Sequence, residues 1–327
     1  MGRRPRTIAL CAVLLGTLVA GCSDDAPGDD AASERPSGSA DTTAPGRTAA
    51  ASTGAPEAGD CLEPMIEEMA HGTRLPAVVA CSEPHGGEVI ATYELPDGPY
   101  PASGGSIEGV DDVLSRCEGK DEAPGDFTAF VGDNRLEVPA TEKASTGVSD
   151  AWVVSGLQQA TFVPGPAAWS GGERWLACAV VLNNSFSAPS TYPDSAKGAL
   201  DTPGEVDAAF AWCKAQPEPG NVRNFEAVAC TEAHNFEQLT SFVAGDETTE
   251  YPGVEALDEM AGVLCDVLSS EATGGRSDDW GSGFRLSWTY PLDGDWAQGD
   301  RFVRCYAATV EGSTTGSVAN GTATASD

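Results

Sequence analysis

Eight of the ten cysteines, those beyond Cys11 and Cys22, fall into two sets of four and constrain this 327-residue chain more than any other feature. The first set is Cys61, Cys81, Cys117 and Cys178; the second is Cys213, Cys230, Cys265 and Cys305. Their intervals, 20, 36 and 61 residues against 17, 35 and 40, keep the early spacing and differ in one late loop. The surrounding residues repeat too. Cys81-Ser82-Glu83-Pro84-His85 with Glu88 answers Cys230-Thr231-Glu232-Ala233-His234 with Glu237. Trp169-Ser170-Gly171-Gly172-Glu173-Arg174, ending at Cys178, answers Trp296-Ala297-Gln298-Gly299-Asp300-Arg301, ending at Cys305. Tyr100-Pro101 and Tyr251-Pro252 correspond, as do Pro164 and Pro291. Self-similarity of this kind marks a duplicated structural unit.

Each unit reads as ββαββ. A short apolar run (Ala77-Val78-Val79 or Ala227-Val228) leads into the second cysteine, and a β-rich run (from Val89 or Leu239) follows, which predicts a hairpin. The third cysteine falls in a helical pattern: Val110, Val113, Leu114 and Cys117, or Leu257, Met260, Ala261, Leu264, Cys265 and Leu268. Two more strands joined by a Trp-x-x-Gly turn close the unit. The expected fold class is therefore α+β: two tandem disulfide-bonded modules, each a ββαββ-like antiparallel sheet with one helix, largely independent of each other. Gly198-Ala199-Leu200 and Gly316-Ser317-Val318 read as a matching terminal element. Module 1 then spans 59–203 and module 2 spans 204–321, with residues 322–327 a disordered tail.

Modules of this size with few large apolar side chains have thin cores, and disulfides are the usual remedy in an oxidising compartment. Eight cysteines allow 105 pairings; confinement within each repeat leaves nine. The favoured set is Cys61–Cys81, Cys117–Cys178, Cys213–Cys230 and Cys265–Cys305, which ties each unit's start to its first hairpin and its helix to its sheet. No Cys-x-x-Cys occurs, so neither zinc nor redox chemistry is indicated and no metal or cofactor is expected.

The N-terminus supplies the compartment. Arg3, Arg4 and Arg6 precede the apolar run Ile8–Leu15, and Leu18-Val19-Ala20-Gly21-Cys22 resembles a lipobox. Residues 1–21 read as a lipoprotein signal peptide, Cys22 as the lipidated residue, and the cell membrane's extracytoplasmic face as the location. Two or more acyl chains are needed for a stable anchor. Residues 22–58, rich in Ala, Ser, Thr, Gly, Pro and Asp, cannot offset their ordering entropy and read as a disordered tether. Their reach is roughly 30–36 Å. With 18 basic and 50 acidic residues the chain repels nucleic acid.

Gly59-Asp60-Cys61, the Cys81–His85 motif with Glu88 and the Trp169–Cys178 stretch resemble the septum formation domain of exported and membrane-anchored actinobacterial proteins. The first unit is the closer match; the second has Ala233 in place of proline and lacks Gly-Asp before Cys213. The resemblance implies a link to cell division and supplies no catalytic residues.

Two sets of polar residues are candidate sites. His85 with Glu88, and His234 with Glu237, could act as general base and orienting partner, yet no nucleophile or metal motif accompanies them. A residue kept in both copies more often serves the shared fold. Trp169 with Arg174, and Trp296 with Arg301, could stack on a sugar or clamp a hairpin onto a helix. Asp293-Gly294-Asp295 offers too few oxygens for calcium and reads as a turn. The expected function is a non-catalytic binding or scaffold lipoprotein whose partner is an envelope protein or wall component. An envelope enzyme using a His/Glu pair and a solute-binding lipoprotein are the alternatives.

Overall fold

The computed structural model describes residues 54–64, 75–100, 111–120, 123–184, 189–216, 225–280 and 282–326. The signal peptide, Cys22 and nearly all of the tether lie outside them.

Alternating and continuous apolar runs become strands, and the helical pattern becomes a helix in each half. The first half contains β1 (Cys61–Leu62), β2 (Val78–Val79), β3 (Gly87–Glu94), α1 (Asp111–Glu118), β4 (Gly119–Lys120), β5 (Ala123–Pro124), α2 (Asp126–Val131), β6 (Arg135–Leu136), α3 (Ala140–Thr146), β7 (Ala151–Val153), β8 (Leu157–Phe162), α4 (Pro166–Ser170) and β9 (Trp175–Leu182). The second contains β10 (Trp212–Ala215), β11 (Glu226–Val228), β12 (Phe236–Val243), α5 (Val254–Ala272), a 3-10 turn (Arg276–Asp279), β13 (Phe284–Thr289), α6 (Asp293–Trp296), β14 (Phe302–Thr309), β15 (Ser313–Thr315) and β16 (Thr324–Ser326).

The two main sheets run in the orders β2-β1-β3-β9-β8 and β11-β10-β12-β14-β13. These orders are equivalent strand for strand, and every pairing is antiparallel. Even the irregularity repeats: a bulge falls between Val89 and Ala91 in β3 and between Gln238 and Thr240 in β12. Each main sheet therefore has five strands where ββαββ expects four, and each half carries more than the one expected helix. The strand carrying the first cysteine, β1 or β10, inserts between the two runs expected to form a hairpin, pairing Cys61 with both Val79 and Glu88. The four disulfides are Cys61–Cys81, Cys117–Cys178, Cys213–Cys230 and Cys265–Cys305, the pairing favoured above. Two bind β1 and β10 to the turns beyond β2 and β11; the others bind α1 to β9 and α5 to β14. Such links contribute about 2–4 kcal/mol each.

The halves are not independent. β7, from the first half, pairs with β12 of the second, setting Val153, Trp152 and Ala151 opposite Thr240, Ser241 and Phe242, and β6 pairs with β7 in turn. The second sheet thus gains two strands from the first repeat. The residues that supply them belong to the long interval between Cys117 and Cys178, which the second repeat shortens. One core cluster joins Val131, Leu136 and Leu182 to Leu257, Leu264 and Val303. The described residues accordingly lie in a single compact unit. The reason is burial: a thin repeat gains more by sharing apolar surface than by covering it alone.

Two boundaries shift. Pro56 is buried and its carbonyl accepts a hydrogen bond from Thr92 Oγ1 at 2.8 Å, so the fold begins inside the segment read as tether. The segment read as a disordered tail contains β16, which pairs with β15 through Thr324, Ala325 and Ser326. The terminal elements match at residues other than those expected, Tyr192 with Thr314 and Ser195 with Ser317. No helix among the described residues is long and apolar enough to cross a membrane.

Candidate functional site

The His/Glu pairs sit where the chain turns into β3 and β12. His85 is 1% exposed and His234 is fully buried. Each backbone forms a two-way bridge to a later segment. His85 N–H donates to Tyr192 O at 3.1 Å and receives Tyr192 N–H at 2.9 Å; His234 does the same with Thr314 at 2.9 and 2.8 Å. Each ring Nδ1 lies 2.9 Å from a carbonyl two residues back, Glu83 O or Glu232 O, which assigns the proton to Nδ1 as donor. Nε2 of both rings is buried without a hydrogen-bond partner.

The glutamates reach across to the same later segments. Glu88 accepts from Ser195 Oγ at 2.8 Å and Ala196 N at 2.6 Å. Glu237 accepts from Ser317 Oγ at 2.7 Å, from Val318 N, and from Ala319 N at 3.4 Å. His85 Nε2 and Glu88 Oε1 are 4.0 Å apart. Burial raises Glu237 to about 7, against the hydrogen bonds from Ser317, Val318 and Ala319 that lower it. Burial likewise lowers His234 below the ordinary imidazole value, partly offset by the bond to Glu232. Tyr192, stacked edge-on against His85 at 4.5 Å, has its hydroxyl pushed well up by burial and by Glu88.

The Trp/Arg pairs form a second matched clasp. Both indoles are 4% exposed. Trp169 Nε1 donates to Gly98 O at 3.1 Å and Trp296 Nε1 to Thr249 O at 3.0 Å. The preceding tyrosines meet them edge-on, Tyr100 at 5.8 Å and Tyr251 at 5.7 Å. Arg174 covers the Trp169 ring at 4.3 Å while donating to Trp169 O; Arg301 covers Trp296 at 4.0 Å and donates to Trp296 O. Each indole therefore has its own arginine over its face, where a sugar would have to stack. A cleft of about 710 Å³ opens beside this clasp between Thr92–Asp97 and Gly172–Trp175, but Trp169 does not line it.

The geometry brings the His/Glu and Trp/Arg residues together in pairs, with the imidazoles, carboxylates and indoles buried. A general base must reach a substrate proton; these imidazoles are closed off by the chain itself. Cys213 clusters with His234 and Glu237, and Cys117 and Cys178 with Asp126, but these sulfurs are held in disulfides and offer no thiolate to a metal. Sequence reading missed Tyr192, Ser195, Thr314 and Ser317. The serines that follow each bridge by three positions were the available signal, obscured by aligning Gly198 with Gly316.

Fold and clasps define a disulfide-stapled protein of helices and antiparallel sheets, with two main sheets of equivalent strand order. The septum formation family matches residues 142–311, more than half of the chain, and the chain belongs to that family. The match starts in α3 and ends just beyond β14. It covers the Trp169–Cys178 stretch and nearly all of the second repeat, and none of the Gly59–Glu88 region that carries much of the resemblance. No curated protein and no solved structure matches the chain.

Proposed function

We propose that the protein is a membrane-anchored, extracytoplasmic lipoprotein that acts as a non-catalytic binding or scaffold component of the cell envelope during septum formation. Family membership supports a role in cell division or the envelope. The carrying observation is that all four repeated polar pairs are consumed in internal clasps, which leaves a rigid shared unit. The Cys22 anchor and the tether would hold that unit off the bilayer, on the reading of the N-terminus given above.

Chemical cross-linking in intact cells, followed by mass spectrometry, tests this reading with a Cys22→Ala chain as control. Division or wall-synthesis proteins recovered only with the anchored form are the expected result. Recovery of no specific partner, or of the same set with Cys22→Ala, counts against it.

A further inference from the structure

We infer that the pocket between α5, the 3-10 turn and β13 is a saccharide subsite that takes a single sugar ring. This inference stands on its own observations and does not depend on the scaffold reading. The pocket encloses about 220 Å³, below the roughly 300–1,000 Å³ typical of sites for larger organic ligands.

Its walls carry complementary chemistry. Trp280 and Phe284 pack edge-to-face at 6.4 Å and supply aromatic surface for the C–H face of a ring. Asp266 and Asp278 are exposed carboxylates that accept hydroxyl protons, and Arg285 is a donor.

An independent observation points to a ligand. Ser269 is fully buried and lines the pocket, yet its hydroxyl has no hydrogen-bond partner. Trp280 Nε1 is also buried without one. Leaving a buried hydroxyl unpaired is costly, and a hydroxyl of a polyol seated against Ser269 satisfies it. An anion is disfavoured by the two aspartates. An apolar ligand would leave Ser269 unpaired.

The site is rigid. Gly274 and Gly275, with φ of +60° and +84°, reverse the chain directly after α5. Thr273 Oγ1 donates to Ser269 O and accepts from Ser277 N, bracing the helix against the 3-10 turn. Arg276 ties that turn to the carbonyls of Ala319 and Gly204. In the first repeat α1 ends at Glu118 and passes straight into β4, so this corner belongs to the second repeat.

The test is calorimetric and fluorescence titration of the mature chain with N-acetylglucosamine, glucose, and a short oligomer of each. Saturable binding that Ser269→Ala weakens about tenfold is expected, from loss of one buried hydrogen bond. Asp278→Asn, on the surface, should weaken it similarly and guards against a Ser269→Ala chain that fails to fold. Trp280→Phe should abolish the fluorescence change. No saturable response to any of these sugars overturns the proposal, and so does binding that Asp278→Asn and Trp280→Phe leave unaltered.

Discussion

Trp152, from the first repeat, lies opposite Ser241, from the second, in the antiparallel ladder between β7 and β12. That single pairing converts two thin modules into one unit, because the flanking Ala151 and Val153 are buried against the second half's core. The two repeats should therefore unfold together. Calorimetry of the oxidised mature chain is expected to show one transition with matching calorimetric and van't Hoff enthalpies. Two resolved transitions would mean that the shared sheet contributes little. Val153→Asp should lower stability by about 3 kcal/mol or more, by burying an unpaired charge.

Glu88 and Glu237 clasp the later segments of their repeats, and substitutions can separate the contribution of charge from that of hydrogen bonding. Glu88→Ala strands Ser195 Oγ and Ala196 N and should cost about 1–3 kcal/mol. Glu88→Gln keeps one carbonyl acceptor for Ala196 N while its amide can donate to Ser195 Oγ, so most stability should return. Denaturant melts of the two variants provide the comparison. Equal losses would show that charge, not hydrogen bonding, sustains the clasp.

The second clasp should be pH-sensitive. Because Glu237 holds its proton up to about 7 in the folded state, against an ordinary value of 4.5, folding favours its protonated form. That contribution is fully present below pH 4.5 and declines as pH rises through 7, by an amount on the order of 3 kcal/mol. His234 acts oppositely: its lowered value gives stability that is present above 6.5 and is lost as pH falls. Glu237→Gln, which does not titrate, should remove the decline between pH 4.5 and 7 in urea midpoints. A slope unchanged in that variant would place its origin in other groups.

The arginine over each indole is predicted to stabilise rather than to recognise. Arg301→Ala removes the cation from the Trp296 face and the bond to Trp296 O, a loss of about 1–3 kcal/mol. Trp296→Ala should cost about 3–5 kcal/mol. Thermal melts of both variants measure this. If either variant melts like the native chain, the clasp is not structural.

The periodicity of Leu257, Ala261, Leu264, Cys265 and Leu268 made α5 legible, and all five are buried in it. Both matched motifs were legible because duplication printed them twice. What escaped the sequence was non-local. A two-residue strand such as Cys61–Leu62 has no period to read, yet it separates β2 from β3. Nothing local in Ala151-Trp152-Val153 tells which sheet it joins; that depends on the unpaired upper edge of β12. The carboxylate partners Ser195 and Ser317 are 107 and 80 residues from their glutamates. Each is an ordinary loop serine until the fold closes.

Whether the repeated His/Glu pairs serve only the fold is decided in cells lacking the chain. Septum number and placement would be measured after restoring either the native chain or one with His85→Asn and His234→Asn, at matched protein levels. The asparagine amide reaches where Nδ1 does and can keep the bonds to Glu83 O and Glu232 O. The double variant is expected to restore normal septation as the native chain does. A folded, normally abundant double variant that fails to restore it would make the imidazoles functional groups and overturn the structural role.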